Sequence, residues 1–407
     1  MRAYERFLKY VTIDTQSDDQ SNASPTSEKQ KDLGKVLVEE LHELGIDNAF
    51  MDEFGYVYGC VKGNCEAESF AVLAHMDTSP DLSGKNVKPR IVYNYDGKDI
   101  VLNEEYTLRI KEFPEMAQHA GKDLIVTDGT TLLGADDKAG VAEIMAMVEE
   151  LVNHPEIEHG DVYVVFTPDE EVGKGTDHFN FEHCPVKFGY TCDGGAVGTI
   201  DYENFNAASS TVTFTGVSIH PGTSKNKMIN ASEVAFEYHN LLPQEAKPEY
   251  TEGYDGFYHL HDMEGCVEHA KLEYILRNHD RELFEKQKHM MDVCASFINK
   301  KYNRDIVKVQ TTDTYYNMKE KFEGKMFIVE MVEDALRSLG YTPRRTAIRG
   351  GTDGANLTYM GMCCPNLGVG GGNFHGRYEY ACIQDMDEAV KVLLEIVKRV
   401  KERGKHE

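Results

Sequence analysis

The chain lacks any run of about 18 consecutive apolar residues, which is the length that a membrane-spanning helix requires. Its first 15 residues interleave charged and apolar side chains at helical spacing and contain no apolar signal core. It has no Cys-x-x-Cys pair, which leaves a thiolate zinc site without support. The nine cysteines are odd in number and scattered, so they do not form a disulfide framework. These absences predict a reduced, cytoplasmic protein.

Positive charge is also scarce in this sequence. Lys and Arg number 43 against 69 Asp and Glu, and the formal net charge is −26. Because so acidic a chain repels phosphates, nucleic acid and anionic membrane surfaces are disfavoured as partners. Apolar residues make up 41% of the chain, which is enough for a packed core. At 407 residues, the chain is longer than a single hydrophobic core normally serves. We therefore expect a globular protein of two domains.

Hydrophobic periodicity predicts an α/β fold. The expected strands of the first part are 56–61, 70–74, 162–166 and 186–191. Helical stretches separate these strands, which favours a mostly parallel sheet with flanking helices, and the turn-rich stretch 79–131 is an insertion. From residue 207 the predicted order is β-α-β-β-α-β, which is typical of a ferredoxin-like α+β domain. The expected organisation is one domain formed by 1–206 and 320–407, interrupted by a smaller domain at 207–319.

Four short stretches place acidic or histidine side chains near the ends of predicted strands. These groups are His75 with Asp77, Asp136 with Asp137, the triplet from Asp169 to Glu171, and Asp193. In an open α/β sheet, ligands collect beyond the carboxyl ends of the strands. One such group is ordinary in an acidic chain, whereas four at the same edge favour a shared site.

Each stretch also has a structural interpretation of its own. His75 and Asp77 can cap the turn that follows a strand. Asp136 or Asp137 can be a helix N-cap, because aspartate accepts hydrogen bonds there and gains from the helix dipole. Three adjacent acids can be a solvated loop. The coincidence of the four stretches, and not any one of them, carries the functional interpretation.

A late glycine-rich stretch, GVGGGNFHGRYEY, adds His375. Glycine-rich loops can bind phosphates, but this one satisfies neither G-x-G-x-x-G nor G-x-x-x-x-G-K-[ST]. Nucleotide binding is therefore the weaker interpretation, and His375 is a candidate fifth contribution to the same site.

Taken together, these motifs resemble those of the co-catalytic zinc peptidases and deacylases, the family that includes aminoacylase and glutamate carboxypeptidase. The motifs are His-x-Asp, Gly-Ala-Asp-Asp-Lys-Ala-Gly, Pro-Asp-Glu-Glu-Val-Gly, Cys-Asp-Gly-Gly and Asn-Phe-His-Gly, in the family's order over essentially the whole chain. The resemblance is strongest to the cytoplasmic tripeptide aminopeptidases. It implies a catalytic domain with an inserted lid and dimerisation domain, two zinc ions per subunit and a homodimer. The alternative on the same metals is a dipeptidase, a carboxypeptidase or an N-acyl amino acid deacylase.

The resemblance also implies roles for individual residues. One ion is held by His75, Asp136 and Asp193, and the other by Asp136, Glu171 and His375, with Asp136 bridging. Glu170 is the general base acting on a metal-bound water, and Asp77 orients the ring of a histidine ligand. Asp169 is left to hold the loop by accepting backbone hydrogen bonds, and Lys138 to neutralise local charge. Such oxygen-rich ligation with two imidazoles suits zinc, although manganese or cobalt would also bind.

Four further residues are candidates for substrate contact. By resemblance, His220 stabilises the oxyanion of the tetrahedral intermediate, in its own subunit or across a dimer. Arg277 and Arg349 are candidates to bind the substrate carboxylate, because arginine can hold a carboxylate through two hydrogen bonds. Asn230 is a candidate for contact with the substrate backbone. The structural alternatives are a turn histidine for His220 and ordinary ion pairs for the two arginines.

Overall fold

A computed structural model describes residues 1–403, which fold into two compact units. The first unit comprises Met1–Tyr202, Lys321–Thr346 and the described part of Thr352–Glu407, and the second comprises Glu203–Glu320 and Ala347–Gly351. The sequence boundaries after 206 and 319 lie close to the observed breaks. The segment 347–351, which we expected in the first unit, belongs to the second.

The described residues form eight α-helices. They are α1 (Ala3–Tyr10), α2 (Gln30–Glu43), α3 (Ala135–Asn153), α4 (Ala231–Leu241), α5 (Arg281–Tyr302), α6 (Phe327–Ser338), α7 (Asp353–Met360) and α8 (Ile383–Arg403). Within residues 1–403, none of these helices is both long and apolar enough to cross a membrane. Helix α7 is the one that periodicity did not predict.

The strands of the described residues are mostly short. They are β1 (Phe50–Met51), β2 (Val57–Val61), β3 (Phe70–His75), β4 (Arg90–Val92), β5 (Ile100–Val101), β6 (Thr107–Leu108), β7 (Leu124–Val126), β8 (Val162–Thr167), β9 (Gly189–Gly194), β10 (Thr199–Asn204), β11 (Asn206–Thr215), β12 (Phe257–Gly265), β13 (His269–Asn278), β14 (Val307–Tyr315), β15 (Arg344–Ile348), β16 (Asn366–Gly368), β17 (Gly371–Gly372) and β18 (Tyr380–Cys382).

The largest sheet has the strand order β1-β2-β8-β3-β9-β16-β10-β15. Its central strands β8, β3, β9 and β16 are mutually parallel, whereas β1 with β2, β2 with β8 and β10 with β16 are antiparallel. All six residues of β3 are buried, as expected of a parallel strand covered on both faces. The predicted α/β fold is therefore confirmed, with parallel pairing at the centre of the sheet and antiparallel pairing of β1 with β2, β2 with β8 and β10 with β16.

The second unit is built on the antiparallel sheet β12-β13-β11-β14. Its chain order is β11, α4, β12, β13, α5 and β14, which confirms the predicted ferredoxin-like order. Alternate residues of β13 are buried from Ala270 to Leu276, and they share one core with apolar residues of α4 and α5. Every second residue of β13 is buried because α4 and α5 cover only one face of the sheet, and side chains of a strand alternate between the two faces.

The insertion at 79–131 contributes β4 and β7 to a four-stranded sheet with β17 and β18. Tyr380, Ala381 and Cys382 of β18 pair with β7, and Tyr380 and Ala381 pair with β17. The turn between β17 and β18 carries His375. The insertion therefore supports the loop on which the fifth candidate ligand lies.

Candidate active site

The parallel strands bring the predicted site residues of the first unit to one edge of the sheet. His75 is the last residue of β3, and Glu170 and Glu171 lie in a single 3-10 turn after β8. Asp193 lies inside β9 and not beyond it, because that strand begins three residues later than expected. Neighbouring parallel strands end side by side, so residues far apart in sequence become neighbours.

Asp136 lies between the two histidines of the site. Its Oδ1 is 2.9 Å from His75 Nε2, and its Oδ2 is 3.3 Å from His375 Nε2. His75 Nε2 is also 3.6 Å from Asp193 Oδ1, and His375 Nε2 is 3.0 Å from Glu171 Oε2. The structure thus brings all five predicted ligands together, with one oxygen of Asp136 toward each histidine.

Burial shapes the electrostatics of these groups. It raises the pKa of Asp193 to about 6 and that of Glu171 to about 7. Burial would also raise the pKa of Asp136, but hydrogen bonds from His375 and His75 outweigh it and lower that pKa. Hydrogen bonds to Asp136 and Glu171 raise the pKa of His375 to about 11.

The donor set fits divalent cations. Glu171 Oε1 is buried and has no hydrogen-bond partner. Among the ion pairs formed within residues 1–403, none brings a lysine or arginine to Asp136, Glu171 or Asp193. Buried carboxylates are normally paired or bound to metal, so this cluster of uncompensated oxygens beside two imidazoles suits bound metal ions.

Asp77 supports both the histidine and the acidic turn. Its carboxylate is fully buried, with Oδ1 3.3 Å from His75 Nδ1, which is also 3.2 Å from the Asp77 carbonyl oxygen. Oδ1 accepts a hydrogen bond from the Glu170 N–H at 3.0 Å, and Oδ2 accepts one from the Glu171 N–H at 3.1 Å. One carboxylate therefore positions the ring of a candidate ligand and the backbone of two neighbouring acids.

Asp169 has the loop-holding contacts expected of it. Its Oδ2 accepts a hydrogen bond from the Thr26 N–H at 2.7 Å, and its Oδ1 accepts one from Gln30 Nε2 at 2.6 Å. Its backbone lies in the left-handed region, with φ of 59°. Asp169 is thus a buried anchor that ties the turn to the start of α2 and to the residues just before it.

Asp137 is the capping residue of the Asp-Asp pair, because Asp136 and Asp137 have non-helical backbone angles and the regular turns of α3 begin after them. Its Oδ1 lies 3.3 Å from the Gly140 N–H, the contact that an N-cap aspartate makes three residues ahead. Its Oδ2 accepts a hydrogen bond from the His75 N–H at 3.2 Å. Asp137 also lies within coordinating reach of His75 and Asp193. Because both of its oxygens accept backbone hydrogen bonds, the geometry favours a supporting role over a ligand role.

The sequence analysis missed two buried acids at the site. Glu379 accepts hydrogen bonds from the N–H groups of Leu133, Gly134 and Asp136 at 2.7, 2.7 and 3.0 Å. Burial raises the pKa of Glu379 to about 7. Its signal was an acid between two tyrosines in the same glycine-rich stretch as His375. Glu379 holds the backbone that presents the bridging aspartate.

The second missed acid is Asp353, the first residue of α7. Its Oδ2 accepts a hydrogen bond from Thr167 Oγ1 at 2.7 Å, and burial raises its pKa to about 7. A Cβ at Gly175 would lie 2.2 Å from Asp353 Oδ1, so only glycine fits there. Asp353 was missed because α7 was not predicted.

Lys138 is buried beside the bridging residue. Its Nζ donates a hydrogen bond to the Ile13 carbonyl oxygen at 2.7 Å. Burial lowers the pKa of Lys138 to about 8. The ammonium group is therefore committed to a backbone carbonyl and, within residues 1–403, forms no ion pair with the site carboxylates.

Four predicted site residues belong to the second unit. His220 is exposed, and its Nδ1 accepts a hydrogen bond from the Gly222 N–H at 3.1 Å, which places the proton of a neutral ring on Nε2. Asn230 is the N-cap of α4 and accepts a hydrogen bond from the Ser232 N–H at 3.1 Å. The capping contact explains why asparagine stands there, and its predicted substrate contact stays a prediction.

The two arginines differ in how far their donors are used. Arg349 donates to the carbonyl oxygens of Gly253 and Asp255 at 2.7 and 3.1 Å and to Thr251 Oγ1 at 3.0 Å. These contacts hold Arg349 within its own unit, and its predicted contact with the substrate carboxylate stays a prediction. Arg277 donates only to the Leu276 carbonyl oxygen, at 3.0 Å, and forms no ion pair among the described residues.

Three comparisons relate this chain to known proteins. Residues 127–399 match the family model described as peptidase family M20/M25/M40. A curated relative from Clostridium perfringens (strain 13 / Type A), named peptidase T, is 51% identical over 399 residues, which is 98% of each protein. The solved structure of a tripeptidase from Staphylococcus aureus subsp. aureus Mu50 has a TM-score of 0.77 at 24% identity and covers 98% of both chains. A dinuclear metal binding peptidase from the M20 family of Bacillus subtilis has a TM-score of 0.67 at 14% identity, covering 98% of this chain and 97% of that one.

Proposed function

Because this chain belongs to peptidase family M20/M25/M40, we propose that it hydrolyses the amino-terminal peptide bond of tripeptides at a centre that holds two divalent metal ions. The resemblance to tripeptide aminopeptidases is confirmed by the relative named peptidase T, at 51% identity over 98% of the chain. The observation that carries the proposed centre is the position of Asp136, with one oxygen toward His75 and the other toward His375.

The proposed ligands are His75, Asp136 and Asp193 for one ion and Asp136, Glu171 and His375 for the other. A carboxylate can bridge two ions through its two oxygens, whereas each imidazole offers one free nitrogen. We propose zinc as the resident ion, because imidazole and carboxylate donors suit it, although manganese and cobalt accept the same donors. When bound, such ions polarise the carbonyl group of the scissile bond and lower the pKa of a water molecule.

Glu170 is the residue that we assign to proton transfer. Its N–H is held by Asp77 Oδ1, and its carboxylate forms no ion pair with any described residue. Burial raises its pKa well above the usual range, which brings a carboxylate closer to the basicity that a general base needs near neutral pH. Glu170 takes a proton from the attacking water and returns it to the leaving amine. Its neighbour Glu171 faces His375, so the two acids are free to have different tasks.

The substrate-binding roles rest on residues with donors to spare. His220 has its Nε2–H available, which supports the proposed hydrogen bond to the oxyanion of the tetrahedral intermediate. Arg277 keeps most of its donors, which supports its proposed contact with the substrate carboxylate. Binding of both the free amine and the carboxylate would set substrate length, because the two ends of a tripeptide have a fixed reach.

A panel of di-, tri- and tetrapeptides with free and acetylated amino termini tests the proposed function. We expect tripeptides with a free amine to have the highest kcat/KM, measured by chromatographic detection of the released first residue. Arg277→Ala should raise KM for free tripeptides and leave tripeptide amides, which lack the carboxylate, unaffected. Arg349→Ala in the same assay tests the second proposed carboxylate contact, and an unchanged KM would limit Arg349 to its contacts within its own unit.

Two results of the panel would reject the proposal. Equal cleavage of acetylated and free peptides would favour a carboxypeptidase or an N-acyl amino acid deacylase, because neither needs a free amine. Preference for dipeptides would favour a dipeptidase. Each of these outcomes leaves the metal centre intact and changes only the assignment of substrate.

We also propose that the chain forms a homodimer through the outer face of α5. Leu283, Met290, Val293 and Phe297 lie along this helix and are between 37% and 52% exposed. Their spacing of three, four and seven residues places them on one stripe. A second copy of the chain offers the same apolar stripe, and its burial would remove this surface from water.

Replacement of Met290 and Phe297 together by Glu should produce a monomer in sedimentation equilibrium. The reason is that two carboxylates in an apolar interface would have to lose their hydration. Ser296→Glu, one position before Phe297 and beside the stripe, is the matched control and should leave the assembly unchanged. A dimeric double variant would reject this interface. If the monomer also loses peptidase activity, His220 acts across the dimer; if activity is kept, His220 acts in its own subunit.

A reducing compartment, the cytoplasm, is the proposed location. All nine cysteines are unpaired, and seven of them are buried. Proteins exported to oxidising compartments commonly use cysteines in disulfides. Fractionation of cells with an antibody to the chain would test the location, and recovery outside the cytoplasm would reject it.

A further inference from the structure

A second cluster of metal-ligating side chains lies in the first unit. His119, Cys382 and Asp385 each place one donor atom within 4.8 Å of the donors of the other two. All three residues are buried, and Cys382 is completely so. None of them belongs to the proposed peptidase centre. Their donors are a nitrogen, a sulfur and an oxygen, a set that the peptidase centre does not contain.

Three separate elements form this cluster. His119 ends the 3-10 helix Pro114–His119 of the insertion, Cys382 ends β18, and Asp385 lies in the first turn of α8. More than 260 residues separate His119 from the other two, so tertiary structure alone brings them together. Strand β18 also begins directly after Glu379, the acid that holds the backbone of the bridging aspartate.

The ring of His119 leaves one nitrogen without a hydrogen bond. Its Nε2 lies 3.0 Å from Tyr380 Oη, a contact that fixes the ring orientation. Its Nδ1 is buried, has no hydrogen-bond partner and lies 3.3 Å from Asp385 Oδ2. A buried nitrogen without a partner costs free energy unless something accepts its lone pair or its proton. This nitrogen lies on the side of Asp385, whose carboxylate belongs to the same cluster.

Lys122 forms an ion pair with only one of the two carboxylate oxygens of Asp385. Its Nζ lies 2.5 Å from Asp385 Oδ1, which leaves Oδ2 on the side of His119. The ion pair therefore balances part of the charge of Asp385 and leaves a donor oxygen. Cys382 Sγ lies 3.8 Å from Gln384 Oε1, a weak contact that does not use the lone pairs of sulfur.

We propose that His119 Nδ1, Cys382 Sγ and Asp385 Oδ2 bind one transition-metal ion of the zinc class, separate from the pair of the peptidase centre. Thiolate, imidazole and carboxylate are the donors that zinc and cobalt accept in proteins. The ion joins the insertion to the junction of β18 and α8, so its role is structural. Burial raises the pKa of the Cys382 thiol to about 12, so binding displaces the thiol proton into solvent.

Substitution of cobalt for the resident ions tests this proposal, because the peptidase centre has no sulfur donor. The full chain is loaded with Co²⁺, and its absorption spectrum and cobalt content per chain are measured. We expect a sulfur-to-cobalt charge-transfer band in the near ultraviolet and one ion beyond the pair. Cys382→Ser should lose the band and that ion and keep its peptidase activity. Cys184→Ser and Cys266→Ser, one buried and one exposed thiol, are the matched controls and should keep the band.

His119→Gln provides a second variant should Cys382→Ser fail to fold. This variant keeps the thiol and loses the imidazole donor, so the extra ion and its band should both be lost. A wild-type chain without the band would overturn the proposal, and so would a band that survives in folded Cys382→Ser. Retention of the extra ion by folded His119→Gln would also overturn it. The peptide panel is scored independently, so failure of this site leaves the proposed peptidase function unaffected.

Discussion

Glu170→Gln should lose nearly all turnover and keep its metal content. The amide has almost the size of the carboxylate but cannot accept the proton of the attacking water, so kcat should fall by about 10²–10⁴-fold. KM should change little, because the substrate contacts lie elsewhere. Steady-state kinetics on a tripeptide, with metal content measured on the same sample, provides the test.

Glu171→Gln is the matched control for this experiment. The two residues are adjacent, both are half-buried acids and both backbone N–H groups are held by Asp77. Glu171 faces His375 at 3.0 Å, so its loss should lower metal content as well as activity. Activity of Glu170→Gln close to wild type would show that another group takes the proton. Loss of metal from Glu170→Gln would instead make Glu170 a ligand.

In the same assay, His220→Ala should lower kcat without loss of metal, and an unchanged kcat would reject its oxyanion role.

Asp136→Asn should lose affinity for both metal ions. A bridging carboxylate gives one oxygen to each ion, whereas an amide offers one carbonyl oxygen and an NH2 group that is only a hydrogen-bond donor and cannot coordinate a cation. We expect metal affinity to fall by at least about 10–100-fold, the loss already seen when supporting residues of metal sites are changed. Peptidase activity should fall with it. Isothermal titration calorimetry, in which zinc is added to the metal-free variant, measures both binding events.

Two neighbouring acids supply the comparison for the bridging residue. Asp193→Asn should weaken one binding event and leave the other, because Asp193 pairs with His75 and, among the described residues, not with His375. Asp137→Asn should keep both events and lower the free energy of unfolding, because its oxygens cap α3 and hold the His75 N–H. Loss of one ion from Asp137→Asn, with both kept by Asp136→Asn, would exchange the roles of the two aspartates.

The local sequence was sufficient to predict those strands and helices whose positions are set by the pattern of apolar residues. The apolar runs of β3 and β8 predicted strands within one or two residues of their observed bounds, because a buried parallel strand needs apolar side chains on both faces. The order of elements in the second unit likewise predicted its ferredoxin-like sheet. Strand β9 was misplaced by three residues, because the apolar run before it continues into a segment that is not in the sheet. The internal contacts of Arg349 were not predicted, because its backbone acceptors lie about a hundred residues away.

The sequence by itself determined the chemistry of the proposed peptidase centre, since ligand types at strand ends and their order along the chain are local features. Only the tertiary structure decided which acid does what. Glu379 reaches the Asp136 backbone across more than 240 residues, and His119 meets Cys382 across more than 260. Cysteine spacing gave no sign of the proposed second metal site, because it has one thiol and its histidine lies more than 260 residues from Cys382 and Asp385. Hydrogen bonds and metal ligands depend on distances of a few ångströms, and for distant segments those distances exist only after the chain has packed.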